Sequence, residues 1–98
     1  MSDQHLNLKI ITPQKLITES GAEVVYLPTV EGVLGVLPGH MNLVVAIGDG
    51  ELTFLSQGRE EKINIQGGWA DIKDDTVIVF TELTETSQGS QPQSNESG

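Results

Sequence analysis

The stretch INIQGGWADIKDDTVIVFTE, Ile63 to Glu82, decides how this chain folds. Apolar residues recur there at every second position, Ile63 with Ile65 and then Val77 with Val79. That period of two is what a strand with one buried face produces. Between WADIK and TVIVF stand Asp74 and Asp75. Paired carboxylates can do acid–base chemistry, but short polar residues that tolerate left-handed backbone, set between two strand patterns, predict a hairpin turn instead.

The same period extends outward from this stretch. Leu6, Leu8 and Ile10 alternate near the N-terminus and Leu52 with Phe54 in the middle, while no window of helical length offers a better i, i+3, i+4, i+7 match. Turn signals separate the runs at Thr12-Pro13, Ser20-Gly21, Gly48-Asp49-Gly50, Gln57-Gly58 and Gly67-Gly68. Closely spaced turns between short strands predict a nearly all-β fold, a β-sandwich or flattened barrel. Parallel βαβ units would need crossover helices, for which there is no room. From Thr86 onward TSQGSQPQSNESG holds no aliphatic or aromatic side chain. Such a segment cannot offset the entropy of ordering it, so a disordered polar tail over residues 86–98 is expected after a folded domain of residues 1–85.

The totals bound the function. With 98 residues there is material for one core, and a domain of this size buries only a little over ~60% of the surface its unfolded chain exposes, so a stabilising partner is expected. A net charge of −9, from 14 acidic against 5 scattered basic residues, argues against nucleic acid and against direct docking on an anionic membrane. Cysteine is absent, which removes disulfides and thiolate chemistry. The start MSDQHLNLKII lacks the basic and apolar parts of a signal peptide, and no apolar run approaches the ~18 residues of a membrane span. A soluble intracellular protein is the expectation.

Catalytic constellations fail for want of parts. There is no Gly-x-Ser-x-Gly elbow and no Gly-Lys-Ser/Thr phosphate loop. Zinc wants three or four ligands, and the only histidines are His5 and His40. His40 is open to three readings: it hydrogen-bonds its own turn, it touches a partner, or it acts as a general base with Asp49 or Asp71 in a small hydrolase. The first is the expectation, so no catalytic residue, cofactor or metal is assigned. Trp69, the single tryptophan, is expected to anchor the core or a sheet edge, because one aromatic makes no ligand-stacking face.

A second stretch, VEGVLGVLPGHMNLVVAI from Val30 to Ile47, sets three glycines and a Pro-Gly-His corner into aliphatic sequence. Gly32, Gly35 and Gly39 permit positive φ or close approach, and Pro38 fixes its own φ, so a rigid loop is expected. Val33, Leu34, Val36 and Leu37 cannot all be buried in a loop, which leaves two readings for them, a docking surface and core filling.

Three pieces taken in order, LNLKIITPQKLI, EVVYLPTVEGVLGVLPGHMNLVVAIGDGEL and INIQGGWADIKDDTVIVFTE, resemble the N-terminal domain of the epsilon subunit of F-type ATP synthases, called delta in mitochondria. The Glu-Gly-x-x-Gly-x-x-Pro-Gly-His core and the later Gly-Gly-aromatic carry the resemblance, which covers about Leu6 to Glu82. It implies a flattened sandwich of two antiparallel sheets without catalytic residues. It further implies a rotor subunit of the assembled F1Fo complex, bound to the foot of the gamma subunit and resting on the c-ring, that couples ion translocation to ATP synthesis. Carried over by position, Glu31, Gly32, Val33, Leu34 and Gly35 are the c-ring contact, with Glu31 facing a basic residue of the ring. Thr12, Pro38, Gly39, His40 and Val45 are the contacts near gamma. Epsilon subunits typically continue into two helices, for which residues 86–98 lack length and apolar pattern, so inhibition by a helical arm and ATP sensing are expected to be absent. The implied place is the cytoplasmic face of the bacterial inner membrane, held there only through protein partners. A free-standing adaptor of the same ancestry is the alternative interaction module.

Overall fold

The computed structural model describes residues 5–39 and 41–83. They form eight strands and, among the described residues, no helix: β1 (Leu6–Ile11), β2 (Leu16–Ala22), β3 (Val24–Thr29), β4 (Gly32–Val36), β5 (Leu43–Ala46), β6 (Gly50–Ser56), β7 (Arg59–Lys73) and β8 (Thr76–Leu83). The expected all-β sandwich is what the chain forms. Hydrogen-bonded neighbours run β2-β1-β8-β7-β6-β3-β4, with β5 also on β7. The tail expected over residues 86–98 and the domain end at residue 85 lie outside the described residues.

Alternation dictates the core. Leu6, Leu8 and Ile10 of β1, Val25 and Leu27 of β3, Leu52 and Phe54 of β6 and Val77 and Val79 of β8 all point into one buried cluster. A slip of one residue would turn any of these sets to solvent. Each such side chain contributes roughly 1.5–3 kcal/mol by its burial, so the register is strongly specified.

The 15-residue β7 joins the two layers. Its first part, Arg59 to Ile65, pairs with β6. Its last part pairs with β8 on one side and β5 on the other. Between them the register moves from Gln66 opposite Glu82 to Trp69 opposite Phe80, so that two residues of β7, Gly67 and Gly68, face one of β8, Thr81. That is a bulge with one extra residue. Its effect is visible in the core: inward positions are odd before it, Ile63 and Ile65, and even after it, Ala70 and Ile72. Without the extra residue one half of β7 would face the wrong way.

Both carbonyls of the bulge are satisfied. The buried Thr81 hydroxyl donates to the Gly67 carbonyl at 2.6 Å, and the Ile47 N–H donates to the Gly68 carbonyl at 2.9 Å. The hydroxyl of an otherwise apolar strand face is thereby explained, since a buried backbone oxygen needs a donor.

Four expectations need correction. Gly67-Gly68 is this bulge inside a strand and not a turn. Ser20-Gly21 also lies within a strand, with Gly21 opposite Asn7 in the β1–β2 ladder, and the chain turns at Glu23 instead. The Val30–Ile47 stretch is not one loop: it contains β4 and β5, because its aliphatics pair with β3 and β7. One pairing is parallel, β1 with β8, from Asn7 opposite Thr76 to Ile11 opposite Phe80. The two strands lie far apart in sequence, so the rest of the domain is their connection and no crossover helix is required.

Candidate functional site

The β3–β4 turn places the expected c-ring segment at a sheet edge. Thr29 and Gly32 close the turn, the Thr29 hydroxyl donating to the Gly32 carbonyl at 2.5 Å and accepting the Glu31 N–H at 3.1 Å. A second set of bonds ties it to the end of β5: Val30 N–H to the Ala46 carbonyl at 3.3 Å and Gly48 N–H to the Pro28 carbonyl at 2.7 Å. Val30 and Val33 are among the most exposed apolar residues, at 67% and 73%, and flank the exposed Glu31. The ion pair of the described residues is Lys9 with Glu19 at 4.0 Å, so the Glu31 charge is not neutralised by a described residue. Of the aliphatics left between docking and core, Val33 and Leu37 are exposed, Leu34 is half-buried and Val36 is buried.

The expected gamma residues fall into three places. Val45, half-buried on β5, shares a shallow depression of about 280 Å³ with Thr29, Val30, Glu31, Val44 and Ala46, so it lies beside the Glu31 turn. Thr12 is buried just after β1, where its N–H donates to the Lys15 carbonyl at 2.9 Å and its hydroxyl accepts the Lys15 N–H at 3.3 Å. This closes the β1–β2 turn. The Pro38-Gly39 corner sits at the other end of the sheet, with the Gly39 N–H donated to Asp75 Oδ1 at 2.8 Å. Asp75 precedes β8 and Thr12 lies near its Phe80 end, so at ~3.3 Å per residue the two sites are roughly 16 Å apart. His40 lies outside the described residues.

Sequence reasoning missed one feature, an apolar row on the outer face. Ala46 stands opposite Trp69, Trp69 opposite Phe80, Phe80 opposite Ile11 and Ile11 opposite Leu16, across five strands. Trp69 is 45% exposed rather than a core anchor, and its ring stacks on Phe80 with centroids 4.7 Å apart. Thr12, Pro13, Trp69 and Phe80 line a depression of about 460 Å³ at this row. The signal was in the letters: VIVF, Val77 to Phe80, is apolar at every position, the mark of a strand covered on both faces. Among the described residues no group of three or more His, Asp or Glu side chains could hold a metal ion.

A family model described as the ATP synthase, Delta/Epsilon chain, beta-sandwich domain matches residues 5–87. The chain belongs to this family. As a Delta/Epsilon β-sandwich domain it is 41% identical over 80 residues to the ATP synthase epsilon chain of Prochlorococcus marinus, an alignment covering 82% of this chain and 60% of that one. It is 32% identical over 85 residues to the ATP synthase epsilon chain of Carboxydothermus hydrogenoformans, covering 87% and 63%. The domain thus spans about 60% of the length of the curated relatives it matches. Its fold is similar to a chain in the Euglena gracilis mitochondrial ATP synthase OSCP/F1/c-ring structure, with TM-score 0.75, 25% identity, and coverage of 83% of this chain and 52% of that one. A chain of the Tetrahymena thermophila mitochondrial ATP synthase central stalk/c-ring shares the fold with TM-score 0.66 at 16% identity, covering 84% and 66%. In this Delta/Epsilon domain the Glu31 turn and Val45 are brought together, while Thr12 belongs with Trp69 and the Pro38-Gly39 corner with Asp75.

Proposed function

We propose that this chain is a non-catalytic central-stalk domain of an F1Fo ATP synthase, linking gamma to the c-ring and so coupling ion translocation to ATP synthesis. The observation that carries the reading is the joining of the Glu31 turn to β5, two hydrogen bonds and one shared depression, in a domain of the Delta/Epsilon family. A charged tip between exposed valines suits the polar, partly basic loops of a ring, and its backbone tethers to a second strand resist shear. Glu31, Gly32, Val33, Leu34 and Gly35 then meet the c-ring. Thr12, Pro38, Gly39, His40 and Val45 meet gamma. The similar Euglena gracilis chain comes from an assembly of OSCP, F1 and c-ring, which supports the assignment.

The location that goes with this reading is the cytoplasmic face of a bacterial inner membrane, reached through protein partners. Coupling here does not use a helical brake supplied by residues 86–98, which hold no aliphatic or aromatic side chain for an amphipathic helix to bury. The test is a titration of the 98-residue chain against purified cognate gamma, followed by ATPase assays of the catalytic head and gamma with and without it. Tight binding with little inhibition is expected. Failure to bind gamma would overturn the reading.

A further inference from the structure

The segment between β4 and β5 carries the exposed Leu37, 61% accessible, and no ladder of its own. What reaches it is the tip of the β7–β8 hairpin. Asp75 Oδ1 accepts the Gly39 N–H at 2.8 Å across 36 residues of sequence. Asn42 Oδ1 accepts the Asp74 N–H at 3.4 Å, and the Asp75 carbonyl accepts the Asn7 N–H at 2.8 Å. Asp75 therefore touches three elements at once: its own hairpin, the start of β1, and the corner that follows β4.

Turn chemistry by itself does not ask for this side chain. Lys73 pairs with Thr76, leaving Asp74 and Asp75 as a two-residue turn with φ of 53° and 61°. Two successive left-handed residues favour glycine at the second position, since a β-carbon is disfavoured there. A carboxylate in place of that glycine is accounted for by the bond it makes to Gly39, a charge-assisted bond of the stronger class.

We propose that Asp75 is a positioning residue whose carboxylate locks the Leu37-Pro38-Gly39 corner to the β7–β8 hairpin, so that Leu37 is presented to the partner in one orientation. The identity of that partner as gamma rests on the function proposed above; the lock itself does not. Pro38 restricts the corner from the N-terminal side and Asp75 holds it by the Gly39 amide, so ordering is completed before binding and less entropy is lost on contact.

Three variants of the full chain test this. Asp75→Gly keeps a residue suited to the left-handed turn and removes the acceptor; Asp75→Asn keeps an acceptor oxygen; Asn42→Ala removes the weaker bond. Hydrogen exchange at the Gly39 amide, followed by NMR, is expected to quicken about tenfold in Asp75→Gly and to change less than about threefold in Asp75→Asn. Affinity for purified gamma is expected to fall about three- to tenfold in Asp75→Gly, with recovery in Asp75→Asn. Asn42→Ala is expected to lie between the two in exchange. Unchanged Gly39 exchange in Asp75→Gly would overturn the lock, and faster exchange with unchanged gamma affinity would overturn the positioning role. If the parent chain fails to bind gamma, the proposed function falls, and Gly39 exchange still decides the lock.

Discussion

At Gly68 a β-carbon would run into the carbonyl of Phe80 and come within 3.0 Å of the Thr81 Cα, whereas at Gly39 nothing lies within 4 Å of the same position. Both residues have positive φ, 107° and 126°. The first glycine is required by space, because two paired strands close over it where β7 changes phase. The second is required by backbone conformation at an open corner. Identical letters in the sequence thus serve the union of the two layers in one region and the presentation of a surface in the other, and substitutions separate these roles by size.

The largest effect is expected at the bulge. Gly68→Ala combines backbone collision with left-handed strain and should cost on the order of 3 kcal/mol or more, or prevent folding, as read by urea unfolding of the whole chain. Next is Thr81→Val, which removes the donor to the Gly67 carbonyl and should cost about 2 kcal/mol in the same assay. Gly39→Ala meets no atom and carries only the conformational term, about 1 kcal/mol. If Gly39→Ala proved as damaging as Gly68→Ala, the distinction between space and φ would be lost. At the small end, Glu31→Arg should leave stability within about 0.5 kcal/mol, because the side chain is exposed and unpaired among the described residues. Its effect belongs to binding: co-sedimentation with c-ring vesicles should weaken, and unchanged binding would remove the acidic contact.

Strands β1 and β6 were legible because each alternates and lies with one face in the core; β8 was legible from Val77 and Val79, although Ile78 and Phe80 between them are apolar as well. β7 was legible only in halves. The parity of its buried residues changes at Gly67-Gly68, and a glycine pair between two strand patterns reads as a turn unless the register against β8 is known. Ser20-Gly21 misled for a related reason: turn-forming residues are tolerated in β2, the outermost strand of its layer, where one side has no ladder to support. β4 and β5 were hidden because their residues do not alternate between apolar and polar: Val33 and Val44 are exposed although apolar, so hydrophobicity does not mark the inward face.

The surface shows the same division. The Glu-Gly and Pro-Gly corners announce themselves by composition, and their exposed valine and leucine follow from a shortage of core to bury them. The row from Ala46 to Leu16 does not, because each member is one residue on a different strand. Trp69 looked solitary with Phe80 eleven positions away, yet the hairpin between them stacks the two rings.

Local sequence determined the period of two and the hairpin at Asp74-Asp75, since these depend on side-chain chemistry and on neighbours a few residues apart. Tertiary structure alone decided that β1 and β8 run parallel, that one extra residue in β7 turns Ala70 and Ile72 inward, and that Asp75 reaches Gly39. Each of those joins residues distant in the chain, and only the closing of two layers over a shared apolar core brings them within bonding distance.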